Sequence, residues 1–417
     1  MGLPFSQSDD PEREQSIRPS SEMTACRTRV TIDLKRFEKN VLEILSRLPG
    51  GAGLLPVIKA NAYGHGLLPI VSSLLHLNIG QVAVMGLDEA CLVRKAGYEG
   101  TVVLLGGFSG SELPLCLKYK LTPVLHHGDQ IRYLESLSSR SSLDVHVKID
   151  SGMGRLGFLP EELPGILDRI DSLKHVKIKG LMTHFPLSED REDTDRCVQV
   201  FREALLSVGS HRALRFLEVV HMANSAAVMN GLTAWKEPFP AKGRLKDLRF
   251  WARPGLLLYG YSPSGRILGG WKEVRPILKV ESRLLSVRSL PKGQTISYGR
   301  TMTLERNSRV GIVAMGYADG LPRGISGKGW AVVSGVRVPF LGRICMDMVA
   351  VDLTELSIDV SSGDWVSIID PDHPESMTID LLAEWMNTIP YEILCLIGHR
   401  SERRYIVDPP RHSAESL

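Results

Sequence analysis

Short apolar, β-branched runs recur along the first two thirds of the chain and alternate with stretches whose apolar residues return every third or fourth position. The runs are LLPVIK (54–59), QVAVMG (81–86), TVVLLG (101–106), LTPVLHH (121–127), DVHVKID (144–150), VKIKGLMTH (176–184), FLEVVHMAN (216–224) and RPGLLLYG (253–260). Helical patterns such as 87–96, 161–173 and 192–207 separate them. Buried strands alternating with helices predict an α/β fold, and eight of them predict a (β/α)8 TIM barrel. A doubly wound open sheet also accommodates this number, but no G-x-G-x-x-G follows the first run. After about residue 272 the pattern changes. ILKVESRLLSV, RVGIVAMGY, WAVVSGVRVPFLG, MVAVDL and DWVSIID lie between Gly/Pro turns, which predicts a mainly antiparallel β domain closed by one helix near 378–388. The chain thus divides into a polar, Pro- and Ser-rich extension (1–27) read as disordered, a barrel (28–272), a β domain (273–407) and a tail (408–417).

Composition narrows the function without naming it. With 417 residues, 43% apolar and 23% charged, the chain has the profile of a soluble protein with real cores. A net charge of +3 with both signs interspersed gives no electrostatic argument for nucleic acid or a membrane surface. No apolar run reaches the ~18 residues of a membrane span. MGLPFS fits a loose myristoylation pattern, with nothing else pointing to a membrane. The six cysteines (26, 91, 116, 197, 345, 395) form no CxxC pair, as expected of reduced thiols in a cytoplasmic protein, and no metal site is expected.

In a barrel, chemistry gathers at the C-terminal strand ends. Lys59 ends the first run, in VIKANAYGHG; Lys148 and Arg155 flank the end of the fifth and its glycine loop DSGMGRLG; His184 ends the sixth. Asn224 and Ser225 follow the seventh, and Arg253 stands at the start of the eighth. Any one of these is ordinarily a solvated rim charge or a satisfied packing residue; their convergence on one rim is not ordinary. Cations outnumber acids there. The glycines around the eighth run mark the place where barrels often hold a phosphate on backbone N–H groups. A lysine in an apolar setting loses its charge readily and can then form a Schiff base. A phosphate site facing such a lysine suggests pyridoxal phosphate (PLP), with aldolases and phosphosugar enzymes as competing readings.

Seven further segments, in order, sharpen this: KIDSGMGRLG, THF, ANSAA, RPGLLLYG, ISYGRTMT, GYADGLPR and GRICMDM. With VIKANAYGHG they make the chain, from about Arg29 to Tyr405, resemble the alanine racemases, barrel-type PLP enzymes related to ornithine and diaminopimelate decarboxylases. The last three segments lie in the β domain and separate racemases from those decarboxylases and from single-domain PLP-binding proteins.

The resemblance implies a role for each matching residue. Lys59 holds PLP as a Schiff base and serves as the base on the D-substrate face. Tyr63, Ser225 and the backbone of Gly255 and Leu256 form the phosphate cup, with Asn224 beside them. His184 lies by the pyridine ring and Arg253 meets its nitrogen; a guanidinium keeps its proton, so the ring stays largely neutral. Arg155 reaches the cofactor oxygen and the substrate carboxylate, oriented by Lys148, a position often carbamylated in the family. Tyr298 is the second base, for the L-substrate, and Arg155 is the cation expected to help it. Tyr298, Tyr317, Met346 and Asp347 come from a second subunit, which implies a homodimer with shared sites. The substrate is then L- or D-alanine, and the product D-alanine serves peptidoglycan. A serine or broad-specificity racemase and a non-catalytic PLP-binding regulator are the alternatives. Two departures stand out. His399, in LIGHRSERRY, falls where the family carries a phosphate-binding tyrosine, and 233–251 lengthens the segment between Ser225 and Arg253.

Overall fold

The computed structural model describes residues 26–136, 142–231, 245, 247–263 and 270–407. Most of the N-terminal extension, most of the 233–251 segment and the tail therefore lie outside the described residues.

The first strand, β1 (Thr28–Asp33), belongs to neither of its sequence neighbours. Eight parallel strands follow as the barrel: β2 (Gly53–Leu54), β3 (Gln81–Val84), β4 (Thr101–Leu104), β5 (Thr122–Leu125), β6 (Leu143–Lys148), β7 (Val176–Met182), β8 (Val219–His221) and β9 (Arg249–Ala252). They pair in the order β2-β9-β8-β7-β6-β5-β4-β3. Pro56 has no N–H for a ladder, so the ring closes just beyond β2. There Ala83 N–H donates to Pro56 O (2.8 Å) and Ile58 N–H to Ala83 O (2.9 Å). The helices expected at 87–96, 161–173 and 192–207 appear as Leu87–Lys95, Leu163–Ser172 and Arg191–Val208.

The eighth strand departs from expectation. It is Arg249–Ala252, inside the segment read as an insertion, and RPGLLLYG instead turns through Pro254 and Gly255 into a 3₁₀ helix, Leu256–Tyr259. The apolar run LLLY is buried because it packs against the Leu34–Arg47 helix and the turn after Lys59, with Tyr259 against Phe37, Tyr63 and His65, not because it is a strand. Arg253 therefore follows the last strand instead of starting it, and sits on the same C-terminal rim as the other candidates.

The second sheet is antiparallel apart from one pair. The strands of this half are β10 (Leu278–Leu290), β11 (Thr295–Ile296), β12 (Met302–Thr303), β13 (Ser308–Val313), β14 (Trp330–Val333), β15 (Val336–Leu341), β16 (Val349–Asp352), β17 (Trp365–Ile369) and β18 (Glu402–Ile406); β11 and β12 pair only with each other, as a separate two-stranded sheet. The main sheet runs β13-β16-β15-β14-β17-β10-β1-β18, and β10 also pairs with β13, closing six of these strands into a ring. A register shift between Leu284 and Ser286 lets the long β10 serve both jobs. The barrel boundary at 28 is thereby corrected: β1 lies antiparallel to β10 and parallel to β18. Two helices, not one, cap this half: Ile379–Trp385, and Pro390–Leu396, whose Pro at the first helical position has no N–H to leave unpaired.

Candidate active site

The rim of the barrel and the Pro390–Leu396 helix enclose a cleft of ≈ 600 Å³. Lys59, Tyr63, Lys148, Arg155, His184, Asn224, Ser225, Arg253 and Gly255 all line it. Leu256 is fully buried behind it.

Lys59 enters on an unusual piece of backbone. Ala60, Asn61, Ala62 and Tyr63 all have φ between 52° and 55°, a single left-handed turn that Gly64 (φ 80°) ends. The turn closes on itself, with Ala62 N–H donating to Ile58 O (3.0 Å) and Gly64 N–H to Ala60 O (2.9 Å). Burial lowers the Lys59 pKa, Arg155 lowers it further, and Glu89 and Cys395 oppose the shift. The amine is thus more often neutral at neutral pH than a solvated lysine.

Beneath it, Tyr63 is held between two rings, 5.2 Å from Tyr259 and 5.8 Å from Tyr391 between centroids. A side chain at Gly255 would overlap the Tyr63 hydroxyl, so that hydroxyl rests directly on the Gly255 backbone. Ser225 Oγ accepts from Gly255 N–H (3.0 Å) and Leu257 N–H (3.2 Å). With both acceptor positions used, its own hydrogen is left to donate into the cleft. Asn224 caps the short helix that follows by accepting from Ala227 N–H (3.1 Å), and its amide donates to Ser188 Oγ (2.6 Å).

Arg253 is a buried cation. It donates to Thr183 O (2.8 Å), Met222 O (3.0 Å), His221 Nδ1 (3.2 Å) and His184 Nδ1 (3.3 Å). A guanidinium has no acceptor, so both histidines must present a bare Nδ1. His221 then carries its proton on Nε2 and donates it to His146 Nδ1 (2.8 Å), which fixes that ring's tautomer as well. Burial lowers the pKa of His184, then Arg253, Lys148, Arg155 and Lys59 lower it further, so the ring is neutral. Burial lowers Arg253 to about 9, still protonated at neutral pH. Lys148 is buried within the electrostatic reach of two guanidinium groups; burial, then Arg155 and Arg253, lower it to about 8. Arg155 is presented by the glycine loop, whose start is organised by Asp150 accepting from Gly152 N–H (2.9 Å) and Arg155 N–H (3.2 Å).

The β-domain candidates stand elsewhere. Tyr298 is 72% exposed, Tyr317 41% and Met346 52%, and none lines the cleft. They share one face. Ser297 Oγ donates to Arg343 O (2.6 Å), Tyr317 N–H to Cys345 O (3.1 Å) and Ala318 N–H to Met346 O (3.1 Å). Ser297, Gly299 and Arg300 all have positive φ, so a tight turn holds the Tyr298 ring outward. Asp347 pairs through Arg400 with Asp319.

His399 is corrected. It is exposed and lines no part of the cleft. Tyr391, from the helix the sequence pattern missed, faces Tyr63 there instead, because Pro390–Leu396 turns the chain back over the barrel mouth. Ile389 and Glu189 also line the cleft. The Pro-Tyr-Glu start of that helix was a readable signal; nothing local marks Glu189.

Family models for the alanine racemase N-terminal and C-terminal domains match residues 32–263 and 277–405. The chain belongs to the alanine racemase family. An alanine racemase of Halothermothrix orenii is 32% identical over 376 residues, covering 90% of this chain and 95% of that protein. The crystal structure of alanine racemase from E. faecalis superposes with TM-score 0.79 at 31% identity, covering 91% of this chain and 98% of that one. That of the alanine racemase from Bartonella henselae, with covalently bound pyridoxal phosphate, gives 0.76 at 26%, covering 91% and 99%. The two racemase domains thus account for both halves of the fold.

Proposed function

We propose that the chain racemises alanine with pyridoxal phosphate bound to Lys59, in a homodimer whose sites draw residues from both copies. The observation that carries this is the pairing of a cleft-facing Lys59, whose pKa burial lowers, with Ser225, Tyr63 and a Gly255 whose missing Cβ lets the Tyr63 hydroxyl lie against its backbone. The donor set fits the cofactor: the Ser225 and Tyr63 hydroxyls for the phosphate, a buried guanidinium for the ring nitrogen, a neutral histidine beside the ring.

When bound, the cofactor delocalises the electron pair left when the α-proton departs. The protein does the rest. Lys59 holds the cofactor and moves the proton on one face. Arg253, protonated at neutral pH, would face the ring nitrogen as a donor and keep it from gaining a proton. Arg155 orients the substrate carboxylate, and Lys148, close to half neutral at about pH 8, is suited to carbamylation. Tyr298 of the second copy is the base on the other face. Its exposure on a rigid turn, beside Tyr317, Met346 and Asp347, supports this, since an outward-held ring needs a partner to cover it. Alanine is favoured over serine because Tyr317 and Met346 are taken to narrow the entrance together with Tyr391 and Ile389. Among the described residues no helix is long and apolar enough to cross a membrane; a cytoplasmic location and supply of D-alanine to peptidoglycan belong to the same reading.

The test is direct. With PLP, the protein should convert L-alanine to a racemic mixture, and borohydride should fix the cofactor on the peptide 57–66. Lys59→Ala should abolish the label and cut turnover by at least the 10²–10⁴-fold of a positioned base. Label on another lysine sinks the assignment.

A further inference from the structure

The turn that carries Lys59 has four consecutive left-handed residues, none of them glycine, the longest such run among the described residues. L-residues are sterically disfavoured there, so something outside the turn must hold it. At its far end, Arg403 Nε donates to Gly64 O (3.0 Å) and Asn61 Oδ1 accepts from Leu67 N–H (2.8 Å). At the lysine end the hold comes from Glu89. Its Oε1 accepts from Asn61 N–H (3.0 Å) and its Oε2 from Met85 N–H (3.2 Å). Asn61 is two residues past Lys59; Met85 directly follows β3 and lines the cleft. One carboxylate therefore ties the lysine turn to the neighbouring loop of the barrel rim.

We propose that Glu89 is a positioning residue for this site: by accepting those two amides, its carboxylate fixes the turn from which the Lys59 side chain reaches into the cleft. The catalytic sense of this rests on the reading of Lys59 as the cofactor lysine. Glu89 does not itself line the cleft. Its charge also acts on the amine, opposing the burial and the Arg155 field that lower the Lys59 pKa. A carboxylate in the first turn of the Leu87–Lys95 helix also suits the helix dipole, but so does Asp88, which is exposed and reaches neither amide. Asp88 is thus the internal control.

The experiment uses the apoprotein and the PLP-loaded enzyme. Amide hydrogen exchange is followed by mass spectrometry over 57–66 and 81–86, with the pH profile of Lys59 acetylation as a second apoprotein readout. In Glu89→Ala, exchange at residues 60–63 should rise about tenfold to a hundredfold, the loss of a hydrogen bond to a charged acceptor, while the rest of the barrel is unchanged. Glu89→Gln keeps one acceptor oxygen and should fall between; it should also shift the acetylation profile to lower pH. Asp88→Asn should behave as the parent. In the loaded enzyme, kcat should fall about tenfold or more in Glu89→Ala with KM for alanine changed far less. Unchanged exchange at 60–63 overturns the proposal, as does an equal effect of Asp88→Asn. So does a uniform rise across the barrel with a lowered Tm, which would mark a general structural role. Borohydride label away from 57–66 in the parent overturns the lysine assignment separately, and the exchange data tell that failure apart.

Discussion

Lys148 is 4% exposed and within the electrostatic reach of two guanidinium groups, so folding favours its neutral form. Its pKa falls from 10.5 to about 8 on folding. Between those values the unfolded chain binds more protons than the folded one, and stability must rise with pH through that window. Below about 8 both states are protonated and the cost of burying the cation is fully felt. In CO2-free buffer, Lys148→Met should therefore raise Tm near pH 7, with the advantage shrinking towards pH 10; a pH series of thermal melts reads this. Lys59 and His184 were legible as candidates because motif and strand-end position agreed; Arg253 was legible by its motif alone, since its strand was misassigned. Tyr391 was not. Its place depends on a seven-residue helix (Pro390–Leu396) folding back over the barrel, which brings Tyr391 to Tyr63 across the cleft and leaves His399, eight residues on, outside it.

The elements show where periodicity succeeds and where it fails. Barrel strands β3 to β8 fall within the apolar runs, save that β6 begins one residue before its run, because parallel strands buried on both faces must read as continuous apolar segments. The last strand was missed for the same reason: LLLY in Leu256–Tyr259 is more apolar than RFWA in Arg249–Ala252, yet the first is a buried 3₁₀ turn. An apolar run reports burial, and only length and flanking residues separate strand from helix. No periodicity argument reaches the left-handed turn after Lys59, because alanine and asparagine do not announce positive φ. Ala60 there is exposed with φ 53°. Ala60→Gly should relieve a local cost of ~1–2 kcal/mol, offset in part by the freer unfolded chain, and raise Tm modestly. A lower Tm would mean the turn is less strained than its dihedral angles imply.

At the scale of the molecule, the cleft gathers the barrel's chemical groups while Tyr298, Tyr317 and Met346 wait on a separate exposed face. Mixing an inactive Lys59→Ala chain with an inactive Tyr298→Phe chain, under conditions where subunits exchange, should restore activity, because a mixed dimer has one site with both defects and one with neither. No recovery would place both bases in one chain. The threading of the chain has a further consequence, for its birth. Arg29 in β1 pairs with Glu281 in β10, 252 residues later, and β18 on its other side comes later still. At ~5–20 residues per second, the first strand leaves the ribosome roughly 13 to 50 s before its earlier neighbour exists. It must spend that time as an open edge, and its Thr-Arg-Val-Thr-Ile-Asp, with only Val30 and Ile32 apolar, is a sequence that can wait in water without finding the wrong strand.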